Sequence, residues 1–257
     1  ELIAVPPEPE TGRLPDRPLR PGALRDVGGI AICCAQPSRE LLADLLRRHI
    51  PLVLVGVRSE TLSTNVVLPD YNRGAYELTE HLISLGYRRI RLAVTARRCP
   101  WLAESARGYA TAMRRFGLAA EQVLRGDELT DEQAIRQWLR AGVLAEPAPA
   151  EALICAGGDL LRAAVPLLRR LQGGEAALEA LVALVEPGER LPEHVAVTSY
   201  DVDDAELAHW AMRLLIEAAP GQAPKQVIVP GRLVDRGSAP PRKDQPGDSQ
   251  RPGVAVV

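Results

Sequence analysis

The stretch LPDYNRGAYELTEHLISLGYRRIRLAV, residues 68–94, decides the fold. An apolar run ends at Asp70, a helical pattern follows, Gly86 stops it, and a second apolar run begins at Ile90. Gly86 suits the left-handed residue that closes a helix. A strand, a crossover helix and a further strand in this spacing predict a parallel sheet.

The same alternation extends in both directions. GGIAICCA precedes SRELLADLLRRHI, then come PLVLVGV and NVVLP; downstream RIRLAVT precedes LAESARGYATAMRRFG, ALICAGG precedes DLLRAAVPLLRRLQ, and HVAVTSY precedes DAELAHWAMRLLIEAA. The strand runs are almost continuously apolar, as expected where helices cover both faces of a sheet. Ser38, Gly117 and the Thr130/Gln133 pair read as further helix boundaries, and Pro166 predicts a kink. GGEAALEALVALVEPGER reads as an added helix between two strand units. Residues 6–22, with six prolines, and the polar residues after Ser238 read as a loop and a disordered tail.

Composition narrows the function. The chain has 257 residues, 46% hydrophobic and 25% charged, enough for one large domain or two small lobes. A net charge of −2, with Lys and Arg scattered among acids, carries no signature of a nucleic-acid binder. The four cysteines form no CxxC pair and no metal-ligand spacing with histidine, so they read as reduced core thiols in a cytoplasmic protein. Residues 1–22 lack the basic start and continuous apolar run of a signal peptide, and no apolar run of about 18 residues occurs, so neither export nor membrane insertion is expected. No GxSxG elbow, Walker loop or Rossmann glycine fingerprint occurs, which argues against an enzyme, and nothing calls for a cofactor or a metal.

Ligands of open α/β sheets bind beyond the carboxyl ends of the strands. The candidates are therefore 70–74, 96–105, 157–159 and 200–204. Asp70 or Asn72 serves either as a cap or in a site, Asp159 reads as a cap, and Trp101 reads equally as packing anchor or stacking platform. The acidic run at Asp201, Asp203 and Asp204 reads as a solvated helix start in preference to a metal cluster.

VGGIAICCAQPSRELLADLLRRHIPLVLVG, DYNRGAYELTEHLISLGYRRIRLAV, ARGYATAMRRFGL, LPEHVAVTSYD and VPGRLVDRGS, in this order and spacing, resemble the effector-binding core of the lactose-repressor (LacI/GalR) family over residues 26–238. The resemblance implies a two-lobed type I periplasmic-binding-protein-like α/β fold, with parallel sheets and crossover helices. It implies a small-molecule effector, such as a sugar, in the cleft between the lobes, and a homodimer to which helix 159–172 contributes. On that map residues 1–26 are a proline-rich segment, 27–86 with 205–220 form the first lobe, 87–204 with 221–238 form the second, and 239–257 are tail. Members usually begin with a helix-turn-helix and two strand-helix units, and carry a proline-containing strand where this chain passes from Ala205 to Leu207. The first lobe is thus expected to be incomplete, and DNA is expected to bind only through a region outside this chain. The resemblance places Arg73, Ser105, Gly158 and Asp201 at the effector, and Trp101 joins them as the stacking platform that the apolar face of a sugar calls for. Ser105 stands where members place an arginine and Gly158 where they place an asparagine, which weakens the usual polyol clamp. The competing readings are an interaction module that no longer senses an effector, and an enzyme on the same architecture.

Overall fold

A computed structural model describes residues 27–33, 37–59, 62–95, 100–120, 123–126, 132–143, 149–169, 178–185, 196–218 and 222–242. The proline-rich segment 1–26, the tail beyond 242, Cys34, Cys99, the Thr130 cap and the side chains of Asp159 and Pro166 fall outside the described residues.

The elements follow one another as β1 (Ile30–Cys33), α1 (Arg39–Arg47), β2 (Leu52–Val55), β3 (Asn65–Pro69), α2 (Tyr71–Ser84), β4 (Ile90–Thr95), α3 (Pro100–Arg115), β5 (Val123–Gly126), α4 (Glu132–Val143), β6 (Ala152–Ala156), α5 (Gly158–Arg169), β7 (Ala180–Leu184), β8 (Thr198–Asp201), α6 (Asp204–Ile216), β9 (Gln226–Val229) and β10 (Arg232–Val234). They form two sheets. The first has the order β1-β2-β3-β9, all parallel, and the second β10-β8-β7-β6-β4-β5, parallel except for the antiparallel edge strand β10.

Local chemistry sets the boundaries. Ser38 caps α1 by accepting from the Leu41 amide at 3.1 Å, Asp70 caps α2 by accepting from Arg73 N at 3.0 Å, and Asp203 caps α6 from Ala205 N at 2.8 Å. Gly86 and Gly117 take φ of +97° and +69° as they close α2 and α3. Helix α5 continues through Pro166. Among the described residues no helix is long and apolar enough to cross a membrane.

Four differences from the sequence expectation have physical causes. GGEAALEALVALVEPGER contains a strand, β7, in place of the expected helix: Ala180 to Leu184 are all buried between β6 and β8. Alanine and leucine favour a helix, but a five-residue apolar run between two strands gains more by completing the sheet ladder. Helix α2, grouped by sequence with the first lobe, packs on the second sheet, where Ala75, Leu78 and Leu82 join Leu92, Ile154 and Val182 in one core. Strand β9, grouped with the second lobe, pairs with β3 of the first sheet. Residues 239–242, read as tail, are held down: Ala239 is buried, Pro240 O accepts from the Tyr87 hydroxyl at 2.6 Å, and Arg242 N donates to Leu85 O at 2.9 Å.

Helix α5 turns Leu160, Leu161 and Ala164 into the core of the second sheet. Leu161 is therefore an interior residue, and the side chains of Leu167 and Leu168 lie outside the description.

Candidate functional site

The chain passes between the two sheets three times: from β3 into α2, from β8 into α6, and from β9 into β10. Each passage leaves a carboxyl end of one sheet and arrives at the carboxyl ends of the other, so the two sets of strand ends face one another. This is where loops and helix N-termini of α/β proteins meet ligands.

The passages are pinned together by Tyr200, whose side chain is fully buried. Its ring lies against Gly74 of α2, where a Cβ would fall 2.5 Å from a ring carbon. Its hydroxyl accepts from Gly231 N at 2.7 Å, and Asp70 N donates to Val229 O at 2.9 Å. Burial pushes the Tyr200 phenol above its ordinary pKa. Tyr200→Phe removes the acceptor and leaves the Gly231 amide unpaired at the junction. The expected cost is about 1 to 2 kcal/mol by chemical denaturation; an unchanged midpoint would show that water replaces the hydroxyl.

The five sequence candidates do not converge into one shell. Trp101 and Ser105 are brought together, but inward: Trp101 is 7% exposed and Ser105 is fully buried, and the Ser105 hydroxyl donates to Trp101 O at 2.9 Å within α3. Trp101 is thus a packing anchor whose ring centroid lies 4.6 Å from that of Tyr71 at an interplanar angle of 37°. Tyr71 is buried in turn and donates its hydroxyl to Val185 O at 3.1 Å, beyond the carboxyl end of β7. Arg73 is exposed on the junction side of α2 and donates Nε to Glu77 at 2.6 Å. Gly158 opens α5 after Gly157, whose φ is +109°.

Asp201 ends β8 half-buried. Strand alternation puts Ser199 and Asp201 on the face opposite Tyr200. Asp201 Oδ2 accepts from Arg236 Nη2 at 2.6 Å, while Oδ1 accepts from the Ser199 hydroxyl. Arg236 also donates to Val197 O at 3.1 Å and to Ser199. Asp70 is committed to its cap, and Asn72 donates Nδ2 to Glu104 O at 3.2 Å. Among the described residues no group of three His, Cys, Asp or Glu side chains could hold a metal ion.

Gly231 and Arg236 escaped the sequence reading, as did the role of Tyr71. Tyr71 was visible inside the 70–74 candidate stretch, but its role depends on Val185, far along the chain. Gly231 and Arg236 lie in VPGRLVDRGS, whose antiparallel return beside β8 no local pattern announces.

The profile of the periplasmic binding protein-like domain matches residues 79–239. No curated protein matches the sequence significantly. Among solved structures, a LacI transcriptional regulator from a Rhodococcus species is 22% identical, with TM-score 0.68, over 82% of this chain and 77% of that one. A transcriptional regulator CelR in complex with cellobiose is 20% identical, with TM-score 0.68, over 84% of this chain and 67% of that one. A LacI family regulator from Enterococcus faecium with bound ribose is 21% identical, with TM-score 0.63, over 80% of this chain and 77% of that one. With that profile covering more than half of its length, the chain belongs to the periplasmic binding protein-like domain family.

Proposed function

We propose that this domain is a sensor that binds a small polar molecule, of the sugar class, between its two lobes. The observation that supports it most is the opposition of two sets of strand carboxyl ends around the Tyr200 junction, a geometry in which closure of the lobes couples binding to a change of shape. Two solved structures of the same fold are described with cellobiose and ribose bound. In this reading Asp201 and Arg73 meet the ligand, Gly158 lets it approach the N-terminus of α5, and Trp101 and Ser105 brace Tyr71 from behind. The domain is a cytoplasmic, non-enzymatic homodimer that acts on DNA through a helix-turn-helix region outside this chain.

Calorimetric titration with ribose, cellobiose and a wider set of sugars and polyols tests the reading. Asp201 makes charge-assisted bonds, whose loss costs about 1.5 to 3 kcal/mol. Asp201→Ala is therefore expected to weaken binding roughly ten- to a hundredfold. Asp204→Ala, exposed in the first turn of α6, is the control expected to leave it unchanged.

One observation favours a second reading, an interaction module that senses nothing. Arg236 and Ser199 already occupy both Asp201 oxygens, and the Ser105 hydroxyl is spent inside its own helix. Absence of heat from the whole panel would favour that module over the sensor.

A further inference from the structure

Strand β10 returns antiparallel beside β8, with Arg232 opposite Asp201 and Val234 opposite Ser199. The same register carries Arg236 to the level of Val197. Residues directly opposite one another share a face, so Ser199, Asp201 and Arg236 stand together on the side away from Tyr200. The Arg236 side chain runs along that face toward the carboxyl end of β8: Nη1 donates to Val197 O at 3.1 Å and to the Ser199 hydroxyl, and Nη2 donates to Asp201 Oδ2 at 2.6 Å.

The three groups grade from closed to open. Ser199 is fully buried, whereas the Arg236 and Asp201 side chains keep 30% and 32% of their surface exposed. Their bonding is also incomplete at the open end. A carboxylate has about four lone-pair sites, and within the protein each Asp201 oxygen accepts one bond. Among the described residues Arg236 Nε and the second Nη2 proton have no partner, and Nε is not a buried atom.

Holding β10 to β8 does not require this pair. On the opposite face the Thr198 hydroxyl donates to Asp235 at 2.9 Å and accepts from Arg236 N at 3.0 Å, while Thr198 N donates to the Ser238 hydroxyl at 2.8 Å. An ion pair this open to water adds little to stability. Its place is what sets it apart: Asp201 ends β8 at the passage into α6, where the neighbouring Asp203 is committed to its cap and the Ser105 hydroxyl to its own helix. Asp201 and Arg236 cancel one another's charge and so present an acceptor and a donor side by side. A cationic ligand needs the acid alone, and an anionic one the guanidinium alone. Two adjacent hydroxyls of a neutral sugar match both, one donating to Asp201 and the other accepting from Arg236.

We propose that Arg236 is a ligand-binding residue of the cleft and that, paired with Asp201, it selects an uncharged sugar with adjacent hydroxyls. This rests on the sensor reading of the cleft. Calorimetric titration of the full chain with ribose, cellobiose and glucose, and with glucosamine and a glucose phosphate as cationic and anionic counterparts, tests it. The parent is expected to prefer the neutral sugars. Arg236→Gln should weaken them roughly tenfold or more and move the preference toward glucosamine, because Asp201 is left unmatched. Asp201→Asn should move it the opposite way, toward the glucose phosphate. Melting temperatures check that both variants fold, and if Arg236→Gln does not, Asp201→Asn decides alone. Equal loss of every sugar with no change of preference assigns the pair to structure and overturns the proposal, as does a parent that prefers a charged sugar. Neutral-sugar binding indifferent to Arg236→Gln overturns it and leaves the sensor reading standing, whereas absence of heat from every probe overturns both.

Discussion

Gly108→Ala is expected to lower the stability of the second lobe by about 3 kcal/mol, an overpacking cost at the top of the usual range. Helices α2 and α3 cross with almost nothing between them: a Cβ on Gly108 would stand 1.9 Å from Asn72 O and 2.8 Å from its carbonyl carbon. Those atoms are backbone, so no rotamer change relieves the overlap. The helices must separate, and with them Tyr71, Leu78, Tyr109 and Met113 of the shared core. At about 2 to 4 °C per kcal/mol for a chain of this size, the melting temperature should fall by roughly 6 to 12 °C. Gly28→Ala, where a Cβ meets nothing within 4 Å, should change little. Gly117→Ala, equally open but at φ +69°, should cost about 1 kcal/mol of backbone strain. A shift under about 2 °C for Gly108→Ala would mean that the two helices can part freely, and that this approach does not order the core.

That contrast among glycines also shows what the sequence could and could not disclose. Ser38, Asp70, Gly86 and Gly117 act on residues within a turn of themselves, and each was legible because capping is local. Gly108 touches Asn72 across the helix pair, and Gly74 touches Tyr200 from still farther along the chain, so neither constraint has a local signature. The same division separates the elements. Strands flanked by turn residues were readable, whereas β7 was hidden because its Ala-Leu-Val composition fits a buried helix as well as a buried strand. Assigning α2 to a lobe failed because a helix that follows a strand usually covers that strand's own sheet; here Tyr71 and Ala75 bury against the next one. In the candidate site, residue identities were legible but their partners were not. Asp201 reads as a free acceptor until Arg236 returns beside it just after β10, and Trp101 reads equally as anchor or platform until Tyr71 packs against it.

The second large effect is expected at Glu151, immediately before β6. Its carboxylate is almost wholly buried and is the meeting point of three segments. It accepts from the Arg88 and Arg89 amides at 2.8 and 3.0 Å, and pairs with the Arg89 guanidinium at 2.7 Å and that of Arg242 at 2.6 Å. Arg242 is also held by Glu179 at 2.9 Å. Burial alone would raise the Glu151 pKa, but the two backbone amides and then Arg242 outweigh it, and the carboxyl sits below its ordinary value. Removing one partner of a buried ion pair costs about 3 to 5 kcal/mol, because the remaining charge is left without compensation. Glu151→Ala should therefore melt roughly 10 °C below the parent at pH 7 and release residues 239–242 to proteolysis. The pH dependence follows from the sign of the shift. A carboxyl whose folded pKa lies below its unfolded value of about 4.3 stabilises fully above that value, and the contribution is lost as pH falls through the folded pKa. The gap between parent and Glu151→Ala should accordingly stay constant from pH 7 to about 5 and narrow steadily below about pH 4. Arg242→Ala should narrow the gap too, since in a double-mutant cycle the pair shares its energy. A gap that persists unchanged at pH 3 would show that Glu151 acts through packing alone, with the carboxylate contributing nothing to the hold on the C-terminal segment.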